Sequence, residues 1–83
     1  MRVENEQQPA QAGQEIRRLF GESVRTMRKA RSWSQEDLAR RMTESGYPMH
    51  QSTVAKLESG SRPTSMDEMI VISSLLGVPP QAL

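Results

Sequence analysis

Three consecutive blocks between Trp33 and Gly60 decide the fold. They are Trp33-Ser34-Gln35-Glu36-Asp37-Leu38-Ala39-Arg40-Arg41-Met42, then Thr43-Glu44-Ser45-Gly46-Tyr47-Pro48-Met49-His50, then Gln51-Ser52-Thr53-Val54-Ala55-Lys56-Leu57-Glu58-Ser59-Gly60. The first block opens with a helix-start signature: Ser34 is a good N-cap, and Asp37 three residues on makes a capping-box variant. Trp33 before the cap and Leu38 at the fourth helical position match a hydrophobic staple. Leu38, Ala39 and Met42 face inward by their spacing, and Ala39 is small enough to let another helix cross closely. In the second block Gly46 and Pro48 exclude a continuous helix, so Thr43 to His50 is a connection. Met49 plugs the core beneath it, while Tyr47 either packs there or meets a partner. The third block predicts a helix from His50 or Gln51 to about Ser59, with Gly60 as its C-cap. Val54 and Leu57 point inward and Glu58 lies on the inner side. Gln51, Ser52, Ala55, Lys56 and Ser59 share the opposite face, which is small and polar, with few acids.

Upstream, a helix is predicted from about Gln14 to Arg31. Ile16, Leu19, Phe20, Val24 and Met27 follow the three-and-four spacing of one buried face. Gly21 interrupts it at a cost of about 1 kcal/mol relative to Ala, which a close approach by another helix would explain. Arg28 adjoins the apolar stripe, and a buried guanidinium needs a carboxylate; Glu58 is its natural partner. Residues 1–13 are rich in Gln, Glu and Asn, contain Pro9 and lack apolar periodicity, so they read as a disordered N-terminal arm before a folded domain at 14–83. Downstream, Ser61-Arg62-Pro63 is a loop, and Thr64 with Asp67 starts a further helix. That helix carries Met66, Met69, Ile70, Ile72, Leu75 and Leu76, and ends at Gly77. Residues 78–83 begin a fifth helix, with Pro80 near its first turn.

The whole chain narrows the class. Eighty-three residues make one small domain with a marginal core. No cysteine is present, so neither a disulfide nor a thiolate metal site is available, in keeping with a reducing cytoplasm. There is no signal-peptide pattern, and the apolar run from Met66 to Leu76 is too short to span a bilayer. One Trp, one Tyr and one Phe, with Gly and Pro at segment ends, favour an all-α fold. The net charge of +1 hides an asymmetry: residues 14–41 hold eight Lys/Arg against four acids. Positive charge thus gathers ahead of the connection, a modest pointer to a polyanionic partner. His50 is the one histidine and serves as an N-cap or a phosphate contact, so no metal or other cofactor is expected. Ser34 and His50 come with no oxyanion loop or positioned acid, so the chain does not read as an enzyme. The six Met residues sit mostly at core spacing.

Together, Ser34-Gln35-Glu36-Asp37-Leu38-Ala39, Ser52-Thr53-Val54-Ala55-Lys56-Leu57-Glu58-Ser59-Gly60, Pro63 and the Leu75-Leu76-Gly77-Val78 ending resemble the lambda-repressor-like, Cro-type helix-turn-helix family. The upstream Phe20-Gly21, Val24-Arg25 and Met27-Arg28 also fit, and the resemblance covers about residues 16–83. It implies a compact all-α bundle of about five short helices, the second and third forming a DNA-reading unit. The resemblance puts Gln35 at a phosphate-contacting position, Gln51, Ser52 and Lys56 at base-reading positions, and Arg28 and Glu58 at an internal ion pair. The connection of Thr43 to His50 departs from the family, whose turn is usually about three or four residues.

Physics and resemblance together predict sequence-specific binding of double-stranded operator DNA by a repressor-like homodimer. Gln51, Ser52, Ala55 and Lys56 would read bases, and Ser34, Gln35, His50, Ser59, Ser61 and Arg62 would hold phosphates. The alternative is a protein-interaction module, antitoxin-like or bound to a regulatory partner, built on the same fold.

Overall fold

Residues 9–78, the part of the chain that this computed structural model describes, form α1 (Pro9–Ala30), α2 (Gln35–Glu44), α3 (Gln51–Ser59) and α4 (Met66–Leu76). The expectation of an all-α fold holds; the fifth helix expected at 78–83 lies outside the described residues, and four helices are present among them. α1 begins at Pro9, not Gln14. Residues 9–13 are therefore helical and not part of an arm, since a proline whose missing N–H costs nothing at a helix start leads into good helix formers. The rest of the expected arm, residues 1–8, lies outside the described residues.

α1 ends in a Schellman-type turn, with the Trp33 N–H donating to the Arg28 carbonyl at 3.1 Å. Ser32 takes the left-handed position usually given to glycine, at φ +58°. α2 starts with the predicted box: the Asp37 N–H donates to Ser34 Oγ at 2.9 Å, and the Ser34 N–H donates to the Asp37 carboxylate at 2.8 Å. That helix runs to Glu44, leaving Ser45 to His50 as the turn, shorter than the sequence suggested. Thr43 ties this turn down: its Oγ1 donates to the Ala39 carbonyl at 2.9 Å and accepts from the Met49 N–H at 3.1 Å. Met49 is buried and Tyr47 packs against the core, so the tyrosine is a packing residue.

The core joins all four helices through Phe20, Val24, Leu38, Ala39, Met42, Met49, Val54, Leu57, Ile72 and Leu76. Of the predicted α1 stripe, Met27 packs against this core, while two members neither belong to it nor pack on it. Ile16 and Leu19 are 60% and 48% exposed, because the stripe runs on past the part of α1 that the other helices cover. α1 and α3 cross at Gly21. A Cβ there would lie 2.5 Å from the Leu57 carbonyl oxygen and 2.7 Å from the Glu58 carbonyl carbon. One turn away the arrangement is reciprocal: Gly60, at φ +79°, brings its α-carbon so close that a side chain would lie 2.8 Å from the Arg18 α-carbon. A glycine on each side lets the two backbones touch. α4 is capped by Ser65 with Glu68, one residue later than the Thr64 and Asp67 expected. Arg62 decides between the two frames by donating to both Glu68 carboxylate oxygens, at 2.9 and 3.2 Å. Among the described residues no helix is long and apolar enough to cross a membrane.

Candidate nucleic-acid interface

α3 has two faces with different tasks. Val54, Leu57 and Glu58 are buried, while Gln51, Ser52, Lys56 and Ser59 are exposed and Ala55 is half-buried. All five residues proposed from the sequence for the outer face are therefore on one surface, and α3 offers that surface no carboxylate.

Behind it, Glu58 acts as the hub. Arg28 donates through Nε to Glu58 Oε2 at 2.6 Å and through Nη2 to Oε1 at 3.0 Å. The Arg28 guanidinium also donates to the Trp33 carbonyl at 2.7 Å, spanning the α1–α2 junction. Both side chains are more than nine-tenths buried. The Glu58 carboxylate holds the Arg28 guanidinium above its already high ordinary pKa. Gln35 extends the network outward. Its Nε2 donates to Glu58 Oε1 at 3.1 Å, and its Oε1 accepts from Gln51 Nε2 at 2.5 Å. Four side chains from three helices thus run from the interior ion pair to the first turn of α3.

The network changes what two glutamines can do. Gln35 is half-buried with Oε1 committed, leaving one amide N–H and the free backbone N–H groups at the α2 start for an outside anion. Gln51 has one N–H committed and keeps the other, together with its carbonyl oxygen, facing solvent.

The other proposed phosphate ligands divide by how free they are. Ser34 accepts from Asp37 as a cap and keeps its own O–H to donate. The reciprocal bond, from the Ser34 backbone N–H to Asp37 Oδ2 at 2.8 Å, holds the Asp37 carboxyl below its usual pKa. His50 occupies the N-cap of α3, makes no side-chain cap hydrogen bond and is exposed. Ser59 and Ser61 lie 3.0 Å apart, oxygen to oxygen, beside the Lys56 carbonyl at the α3 C-terminus. Arg62 is the exception: it is engaged by Glu68, whose carboxyl it holds below the usual range, so its charge is offset in place.

Sequence reasoning passed over one residue. An open cleft of about 240 Å³ lies between α1 and the exposed face of α3, lined by Arg25, Arg28, Gln35, Ala55, Glu58 and Ser59. Arg25 forms no ion pair with any described residue. Nothing in the sequence separates it from the other exposed arginines of α1. No group of metal-ligating side chains occurs among the described residues.

The chain matches the model of the helix-turn-helix family over residues 24–83. It is 39% identical over 69 residues to the control protein C.BamHI of Bacillus amyloliquefaciens, a match covering 82% of this chain and 79% of that protein. No solved structure matches the chain.

Proposed function

The chain belongs to the helix-turn-helix family of DNA-binding transcription regulators, and from that premise we propose that it reads a duplex operator by laying α3 in the major groove. The observation that carries the proposal is the division of α3: a carboxylate-free outer face backed by a neutralised, hydrogen-bonded hub that fixes its orientation. A major groove about 12 Å wide admits a helix about 10–12 Å across. Gln51, with one N–H and its carbonyl oxygen free, has the donor and acceptor that an adenine edge requires. Lys56 suits a guanine O6/N7 edge, the Ala55 methyl suits a thymine methyl, and Ser52 adapts to either. Ser34, Gln35, His50, Ser59 and Ser61 hold the flanking phosphates and set the register. Arg62 adds donors there, with little net charge.

The protein acts as a homodimer on two half-sites about 34 Å apart or a multiple of that, and its effect is repression by occupancy. Exposed Met66 and Ile70, one turn apart on α4, favour a protein contact of this kind, because an unpartnered apolar pair is better covered than wetted.

Selection from a random duplex pool at physiological salt tests the reading. An enriched inverted repeat supports both α3 readout and the dimer. An enriched single half-site keeps the readout and removes the dimer. Retention without enrichment refutes sequence-specific reading and favours a module that binds a protein partner.

A further inference from the structure

We infer that Arg25 is a backbone-phosphate ligand of the bound duplex, a role that rests on the major-groove reading of α3 proposed above. A helix that fills a groove of similar width leaves the sugar-phosphate strands to pass along its two flanks. On the α1 side that flank is the cleft beneath Ala55 and Ser59, two residues four apart on the outer face of α3. The groups facing the cleft are few. Arg28 and Glu58 neutralise each other through two hydrogen bonds, and the remaining hydrogen bond of Glu58 comes from neutral Gln35. Ser59 adds a hydroxyl. Glu22, three residues before Arg25 on α1, is bound to Arg18 at 2.8 Å. Among the described residues the cleft therefore carries one uncompensated charge, that of Arg25, whose guanidinium donates to none of them, and an anion entering the cleft meets those donors. Arg25 is exposed and anchored on a helix that touches α3 backbone to backbone at Gly21, so its position relative to the reading face is fixed.

The test uses the full chain and a mixed-sequence duplex of about 30 base pairs, long enough for two half-sites one turn apart. Affinity is measured across a salt series for wild type, Arg25→Gln, Arg25→Lys and Arg18→Gln. Each phosphate contact contributes about 0.9 to the slope of log K against log salt. Arg25→Gln lowers that slope by about 0.9 per bound protomer, so its affinity loss at ~50 mM salt exceeds the loss at ~200 mM by about 3.5-fold. Arg25→Lys keeps the slope, since a point charge suffices for counterion release. Arg18→Gln removes the same unit of charge from the same helix but at a site already held by Glu15 and Glu22, and it leaves the slope unchanged. Equal slope changes in Arg18→Gln and Arg25→Gln overturn the assignment in favour of a general charge effect. An unchanged slope in Arg25→Gln, with wild-type binding intact, overturns it and leaves the duplex reading standing. Absence of salt-dependent binding by wild type overturns both.

Discussion

Replacing Gly21 by alanine sets two effects of opposite sign against each other, and the structure decides between them. In an ordinary helix interior the change stabilises by about 1 kcal/mol, because alanine loses less conformational freedom on folding. At Gly21 the added methyl would sit 2.5 Å from the Leu57 carbonyl oxygen and closer still to that of Glu58. An unstrained carbon–oxygen contact is about 3.3 Å, so α3 must retreat by at least about 0.8 Å. Neither carbonyl can turn aside, since both belong to the α3 backbone. The retreat loosens Val54 and Leu57 in the core and stretches the Arg28–Glu58 pair. Overpacking of this kind costs about 1–3 kcal/mol in flexible cores and more against backbone. The net expectation is a loss of roughly 1–2 kcal/mol or more, lowering the melting temperature by at least about 4 °C in a domain of this size. Gly13 supplies the control in the same helix. Among the described residues its added methyl would meet only Arg17 Nη1, at an ordinary 3.5 Å, so Gly13→Ala stabilises by up to about 1 kcal/mol. Thermal and urea unfolding followed by far-UV circular dichroism reads both variants. A Gly21→Ala protein as stable as wild type, or shifted upward with Gly13→Ala, would refute the backbone-contact argument.

Other expectations follow from the same contacts. Arg28→Ala leaves the Glu58 carboxylate buried and unpaired, at a cost of about 3–5 kcal/mol, most of the stability of so small a domain. The double change Arg28→Met with Glu58→Met recovers most of that loss in urea titrations, and no recovery would mean the pair itself carries the fold. Asp37 and Glu68 have carboxyls held low in the folded state. Their contribution is therefore full above about pH 5 and is lost as pH falls through the folded values. Glu68→Gln flattens the acid limb of a stability–pH curve, whereas an unaltered limb would show that the Arg62 contact adds nothing. Gln51→Ala costs about 1–3 kcal/mol on the selected duplex and relaxes one base position; uniform weakening on all sequences would reassign Gln51 to the backbone.

The elements were legible where a signal is local. Ser34 and Asp37 announced α2, Gly60 announced the end of α3, and the gap at Gly21 announced a crossing. Where two local signals compete, sequence alone chose wrongly: Thr64-Ser65-Met66-Asp67-Glu68 offers two capping frames one residue apart, and only Arg62 across the loop separates them. Apolar period placed Ile16 and Leu19 in a buried stripe, but period says nothing about where neighbouring helices stop. The pairing of Arg28 with Glu58 could be read from inward-facing opposite charges. The two glutamine links could not, since residues 16 and 23 positions apart meet only once the helices are docked. Arg25 was hidden for the same reason, because its cleft is lined by three helices and belongs to no one sequence segment.

The partition of α3 also bears on how such a protein can diverge. What seats the helix lies mainly on one side, in Val54, Leu57, Glu58 and the glycine behind them, with one link from Gln51 to Gln35. Ser52 and Lys56 on the far side have no hand in seating it through their side chains, and Ala55 has little. Under the proposed reading, changes at these positions alter the text that is read while the reader keeps its grip. Duplicated copies of the chain could therefore drift to new operators by a few surface substitutions, each tested by selection without first risking the fold.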